Sequence, residues 1–211
     1  MFYWVKTNRF IKWLFSNQVW SVPNSENKIY LTFDDGPTPE VTEWVLELLK
    51  KEEIKATFFC IGKNISDNPT IFKKVIAEKH AIGNHTFNHV NGWQTSTNNY
   101  LEEVNRCSLI SKPFFSEHCQ LFRPPYGKIT PTQSKKLRKL GYQIIMWDLL
   151  TADFDASISP KKCFENATKK VTNGSIIVFH DSKKAFVNMK YALPKAIEYY
   201  KSKGFQFDTL H

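Results

Sequence analysis

From Lys28 onward, short apolar runs alternate with segments whose apolar residues recur at helical spacing. Runs at residues 29–33, 57–61, 81–84, 120–123, 143–147, 175–179 and 205–210 predict strands. Between the first two, Val41, Trp44, Val45, Leu48 and Leu49 fall at i, i+3, i+4, i+7 and i+8, which predicts a helix with one apolar stripe. Comparable helices are predicted over 69–79, 98–111, 131–140, 160–171 and 191–203. Strand and helix in alternation predict an α/β fold with a largely parallel sheet. About seven strands, no internal boundary, no repeat and no Gly/Ser linker narrow this to an irregular, incomplete (β/α) barrel in a single domain, residues 28–211. The stretches 90–97 and 151–159 read as loops.

Residues 1–27 form an aromatic and basic arm. Charges interrupt it well short of the roughly 20 apolar residues that span a bilayer. It also lacks the continuous apolar stretch of about 7–15 residues and the cleavage site of a secretory signal. The expected location is therefore cytoplasmic or peripheral at a membrane. Phe10, Trp13 and Leu14 lie at helical spacing beside Lys6, Arg9 and Lys12. That pattern suits a helix lying in a membrane interface, and equally an arm packed on the domain's own surface.

The chain of 211 residues, 42% of them hydrophobic, suffices for one buried core. A net charge of +9 attracts polyanions in general. The lysines nevertheless occur as pairs on helix faces (Lys50 and Lys51, Lys73 and Lys74, Lys135 and Lys136, Lys169 and Lys170), with no motif of interleaved aromatics, so no nucleic-acid partner is expected. Cys60, Cys107, Cys119 and Cys163 are widely spaced without a C-x-x-C pair, which points to buried, reduced thiols. Nothing in the pattern sets an oligomeric state.

The chemistry-bearing residues Asp34, Asp35, His85, Arg123, Asp153, His180 and Asp181 all fall at or just after the C-terminal end of a predicted strand, where (β/α) barrels build active sites. His85 and His89 stand four apart, so on a helical turn both imidazoles share a face and can bind one metal. The Asp34-Asp35 pair can supply a carboxylate ligand, and because neighbours in an extended segment point to opposite sides, the second carboxylate stays available for proton transfer. Two histidines and a carboxylate with an open position form a hydrolytic zinc site. His180 lies outside the H-x-x-x-H pair and suits a general acid.

These motifs resemble, in order, those of the polysaccharide deacetylases with the NodB-type homology domain, carbohydrate esterase family 4. The resemblance runs from about Lys28 to the C-terminus. It rests on Thr32-Phe-Asp-Asp-Gly-Pro37, His85-Thr-Phe-Asn-His89, Arg123-Pro-Pro-Tyr-Gly127, the stretch from Trp147 to Phe154, and Ile177-Val-Phe-His-Asp181. By this resemblance Asp34 is the general base, oriented by Arg123. Asp35, His85 and His89 hold the metal, and His180 is the acid, tuned by Asp153 with Asp148 as a rival for that role. Pro124 belongs to the third motif, in which the Tyr126 N–H helps stabilise the oxyanion. Trp147 and Phe154 line the groove, and Val178 lines the pocket for the acetyl methyl. Phe154 stands where the family usually has tryptophan and Val178 where leucine is commoner, departures that bear on pocket shape more than on chemistry.

The resemblance implies removal of acetyl groups from an N-acetylated sugar or polysaccharide, giving acetate and a free amino sugar. Zinc is the expected metal, with cobalt, nickel and manganese compatible with the same ligands. An O-acetyl ester or another amide is an alternative substrate for such a site, with Trp93, Tyr126 and Phe154 as the groove wall that discriminates. A carbohydrate-binding protein without catalysis is the alternative of a different class.

Overall fold

The computed structural model describes residues 4–114 and 120–211. Its strands are β1 (Lys28–Asp34), β2 (Thr57–Cys60), β3 (Ala81–Asn84), β4 (Leu121–Phe122), β5 (Gln143–Ile144), β6 (Leu149–Leu150), β7 (Ile176–His180) and β8 (Gln206–Phe207). The sheet runs β5-β4-β3-β2-β1-β7-β6, with β8 paired to the start of β1, and every pairing between these strands is parallel. Seven strands thus curl into an open half-barrel, as the alternating pattern predicts. The helices are α1 (Arg9–Leu14), α2 (Val41–Lys51), α3 (Gly62–Asp67), α4 (Pro69–Ala77), α5 (Thr97–Ser111), α6 (Pro131–Lys139), α7 (Pro160–Thr168) and α8 (Phe186–Ser202). Proline opens α4, α6 and α7, where its missing N–H costs nothing.

Strand alternation sorts the side chains. Ile29, Leu31 and Phe33 of β1 face the helices, packing in one cluster with Val45, Leu49, Leu193 and Ile197. Tyr30 faces the other way, into the curl, with Phe59, Ile145, Ile176 and Leu210. Thr32 and Asp34, two and four residues beyond Tyr30, therefore point into the curl as well, and Asp34 does so at its C-terminal rim.

Three elements differ from the sequence reading. β6 is only two residues long and owes its existence to parallel pairing with β7, a long-range partner that no local pattern discloses. α3 is likewise too short to show a period. α8 begins before residue 191 because Phe186 packs edge-on against Trp44 at 5.5 Å between centroids and Met189 is fully buried, extending the apolar face toward its start.

The arm pairs with strands at both edges of the half-barrel. Val19 donates to Ile144 O (2.8 Å) and accepts from Met146 N (2.7 Å) beside β5. On the other side, Val5 O accepts from Leu150 N (2.8 Å) and Thr7 N donates to Asp148 O (3.0 Å). Both edges thereby gain partners for backbone groups that would otherwise be open. Trp20 is buried and donates its indole N–H to Phe15 O at 3.0 Å. Lys6 (2.6 Å) and Lys12 reach the carboxylate of Asp148, which also accepts from Ser175 Oγ at 2.5 Å. Cys60, Cys107 and Cys163 are buried, and Cys119 lies outside the described residues. No described helix is long and apolar enough to cross a membrane.

Burial raises the pKa of Asp148, but the bonds from Lys12, Lys6 and Ser175 outweigh it and hold the carboxyl below its ordinary value. A depressed folded pKa contributes stability above the unfolded value and loses it as pH falls through the folded one. Asp148→Asn should therefore lower urea stability by about 1–3 kcal/mol at neutral pH. The gap to wild type should close on acidification below about pH 4, and amide exchange should rise at residues 5–20.

Candidate active site

Arg123, directly after β4, carries a fully buried guanidinium. Its Nη1 donates to Asp34 Oδ1 and to Thr32 Oγ1, both at 2.7 Å, while Nη2 donates to Met146 O (3.0 Å) and Nε to Ile145 O (3.3 Å). The plane lies over the Phe59 ring, 4.1 Å from its centroid. Burial lowers the Arg123 pKa and the Asp34 carboxylate opposes that. Asp34, 3% exposed, is thus fixed through one oxygen, leaving Oδ2 outside the guanidinium's grasp.

Asp35 turns away from the strand with φ at 84°. Asn64 Nδ2 holds its carbonyl at 2.7 Å, and Asp181 Oδ1 accepts the N–H of Gly36 at 3.0 Å. Gly36 is required by close approach, since a Cβ there would sit 1.9 Å from the Asp181 carboxylate. Asp181 is itself buried and accepts from Thr42 Oγ1 at 2.5 Å, and burial raises its pKa to about 7, with the Thr42 bond opposing and the Asp35 charge adding.

His85 and His89 come together as expected, with ring centroids 5.0 Å apart, but not on a helical turn. The segment between them is irregular, and positive φ at Thr86 (63°) and His89 (55°) folds it back. Asn84 stabilises that fold by accepting the Thr86 N–H at 2.9 Å. His85 Nδ1 lies 2.7 Å from Arg123 O. A carbonyl only accepts, so Nδ1 carries the proton and Nε2 presents its lone pair. Burial lowers the His85 pKa to about 4, keeping it neutral, against a raising influence from Asp34. The other nitrogen of His89, Nδ1, is 3.1 Å from the Tyr126 hydroxyl.

Asp35 Oδ1 is buried and has no hydrogen-bond partner, although the Nε2 atoms of His89 and His85 are only 3.2 and 3.8 Å away. One ligand atom each from Asp35, His85 and His89 fits within 4.8 Å. Burial raises the Asp35 pKa, but the His89, His180 and His85 imidazoles pull it well below the carboxylate range. An orphaned carboxylate oxygen facing two imidazole nitrogens, one a fixed lone pair, is a donor set that fits a divalent metal.

His180 ends β7 in register with Asp34 across the β1–β7 pairing. Asp153 grips it twice, Oδ1 2.7 Å from Nδ1 and Oδ2 accepting the backbone N–H at 2.7 Å. Burial lowers the His180 pKa, but Asp153, with Asp35 and Asp34 behind it, raises it to about 9. Asp148, the rival partner, is instead engaged by Lys6, Lys12 and Ser175. Phe154 packs edge-on against His180, centroids 5.0 Å apart.

Around this centre, Pro124 precedes a tight turn in which Tyr126 has φ of 59° and is 54% exposed. Gly127 (φ 66°) lies so close to Trp147 that a Cβ would approach Cη2 to 2.6 Å, so the indole backs this turn. Val178 is fully buried and shares the inner strand face with His180. Trp93 is 65% exposed, with Lys128 Nζ 5.2 Å from its ring centroid. Sequence reasoning assigned no task to Thr32, Asn64, Asn84 or Asp181. Thr32 and Asp181 lie inside the motifs, whereas the two asparagines act on backbone groups and carry no sequence signal.

A sequence model of the polysaccharide deacetylases matches residues 21–145. A peptidoglycan-N-acetylglucosamine deacetylase of Bacillus cereus is 35% identical over 195 residues, covering 90% of either chain. The peptidoglycan-N-acetylmuramic acid deacetylase PdaA of Bacillus subtilis is 29% identical, over 88% of this chain and 70% of that one. Among solved structures, a peptidoglycan N-acetylglucosamine deacetylase in complex with 4-naphthalen-1-yl-N-oxidanyl-benzamide superposes with a TM-score of 0.88 at 31% identity, over 94% of both chains. With its motifs assembled at one rim of the half-barrel, this chain belongs to the polysaccharide deacetylase family.

Proposed function

We propose that the chain hydrolyses the N-acetyl group of N-acetylglucosamine units in a peptidoglycan-type glycan, using zinc held by Asp35, His85 and His89. The observation that carries this reading is the unbonded Asp35 oxygen facing two imidazoles, with Asp34 and His180 on the neighbouring strand ends. Relatives named for deacetylation of N-acetylglucosamine and N-acetylmuramic acid units support the substrate class.

A divalent metal at these ligands supplies a Lewis acid for the amide carbonyl and makes water more acidic. Asp34, anchored through Oδ1 by Arg123, accepts the proton of the attacking water at Oδ2. The Tyr126 N–H donates to the developing oxyanion. His180 has its Nδ1 tied to Asp153, so Nε2 is the atom that delivers a proton to the departing nitrogen. The carbon–nitrogen bond then breaks to give acetate and the free amine. Val178 borders the acetyl methyl, and Trp147, Phe154 and Pro124 shape the wall. Acetate release from N-acetylglucosamine oligomers tests the reading. The metal-loaded protein should release acetate, and chelation or Asp34→Asn should reduce the rate by at least about 10²-fold. Release only from O-acetyl esters, or saccharide binding without release, would replace it.

The acid must be protonated to work, so kcat/KM should fall as pH rises through the His180 pKa, raised to about 9 in the metal-free site. Asp153→Asn removes the carboxylate that raises it, and the alkaline limb should move down toward the ordinary imidazole range. An unmoved limb would assign it to another group.

A further inference from the structure

Helix α1 turns Ile11 and Lys12 inward: Ile11 packs against the core, and Lys12, joined by Lys6 just before the helix, bonds the buried Asp148. Its outer face carries large apolar side chains: Phe10 is 62% exposed, Trp13 70% and Leu14 54%, and no residue of the helix is buried. Trp4 and Phe15 flank them, also exposed, so five of the eleven exposed large apolar residues among those described lie between positions 4 and 15. Scattered apolar residues on a surface need no explanation, whereas a contiguous patch does.

The presentation is fixed by backbone bonds on both sides of the helix, from Val5 and Thr7 to the β6 edge and from Val19 to the β5 edge. The Asn8 side chain caps the helix by accepting from Phe10 N at 2.8 Å. Ordering the patch therefore adds little cost when it meets a partner. Its chemistry is that of a bilayer interface, with tryptophan and phenylalanine on the outer face. Arg9 is exposed beside Phe10, and the Lys170 carbonyl accepts from Lys6 Nζ at 2.8 Å, which brings the exposed Lys169 and Lys170 near the start of the arm. The whole chain carries +9.

We propose that the face formed by Phe10, Trp13 and Leu14, with Arg9 beside it, docks peripherally on an anionic lipid surface. Aromatic side chains enter the headgroup region while the cations meet lipid phosphates, which an uncharged partner surface would not require. Docking would hold the catalytic domain at a membrane surface.

The test is co-sedimentation of the full chain with vesicles of phosphatidylcholine alone and of phosphatidylcholine with phosphatidylglycerol. Binding should be stronger on the anionic vesicles by about tenfold or more and should weaken with salt. Tryptophan emission should shift to the blue on binding. The triple substitution Phe10→Ser, Trp13→Ser, Leu14→Ser should abolish sedimentation, while Arg9→Gln with Lys170→Gln should remove the anionic preference. Both variants should keep the far-UV circular dichroism of the wild type and its acetate release from soluble oligomers. Equal binding by wild type and the triple variant would overturn the proposal, as would no binding at low salt. A dimer in sedimentation velocity that the triple substitution dissociates would assign the face to a second copy instead.

Discussion

A fully buried guanidinium sits under the active site, and burying such a charge without partners costs several kcal/mol. Arg123 avoids that cost only where β1, β2 and the segment after β5 converge to supply a carboxylate, a hydroxyl, two carbonyls and an aromatic face. The same residue then acts in two directions. Its side chain immobilises Asp34, and its own carbonyl fixes the tautomer of His85. The proposed base and a proposed metal ligand are therefore positioned by one residue, and the rim of the half-barrel has little freedom to drift.

Around that anchor, three carboxyl groups within a few residues of the same strand ends meet different fates. Asp34 is paired with a cation, Asp35 is surrounded by imidazoles and held anionic, and Asp181 is pushed toward neutrality by burial. Burial thus weakens the charge that Asp181 adds where it holds the Gly36 loop beside Asp35. His180 is divided in the same way from the histidines facing it: Asp153 raises its pKa to about 9, whereas burial lowers that of His85 to about 4. One imidazole is thereby prepared to give a proton and another to offer a lone pair, a separation set by partners and not by residue type.

The α/β class, the strands of the half-barrel's centre and the residues brought together at the rim were legible in the sequence, because parallel buried strands are short apolar runs and barrel chemistry collects where they end. The irregular His85–His89 loop was not, since its geometry depends on positive φ at Thr86 and His89 and on Asn84 bonding a backbone N–H. Neither was β6, which exists through pairing with the distant β7 and the arm. Asp148 and Asp153 looked alike as candidates for the His180 partner. The fold separates their roles: Asp153 bonds His180, while the arm brings Lys6 and Lys12 to Asp148.

The central claim is that Asp34 and Asp35, adjacent in sequence, divide the work between proton transfer and metal binding. Calorimetric titration of the chelator-stripped protein with zinc tests this most directly. The account predicts that wild type and Asp34→Asn each bind one equivalent, and that Asp35→Asn binds at least about tenfold more weakly. Equal weakening by both substitutions, or none by Asp35→Asn, would contradict it.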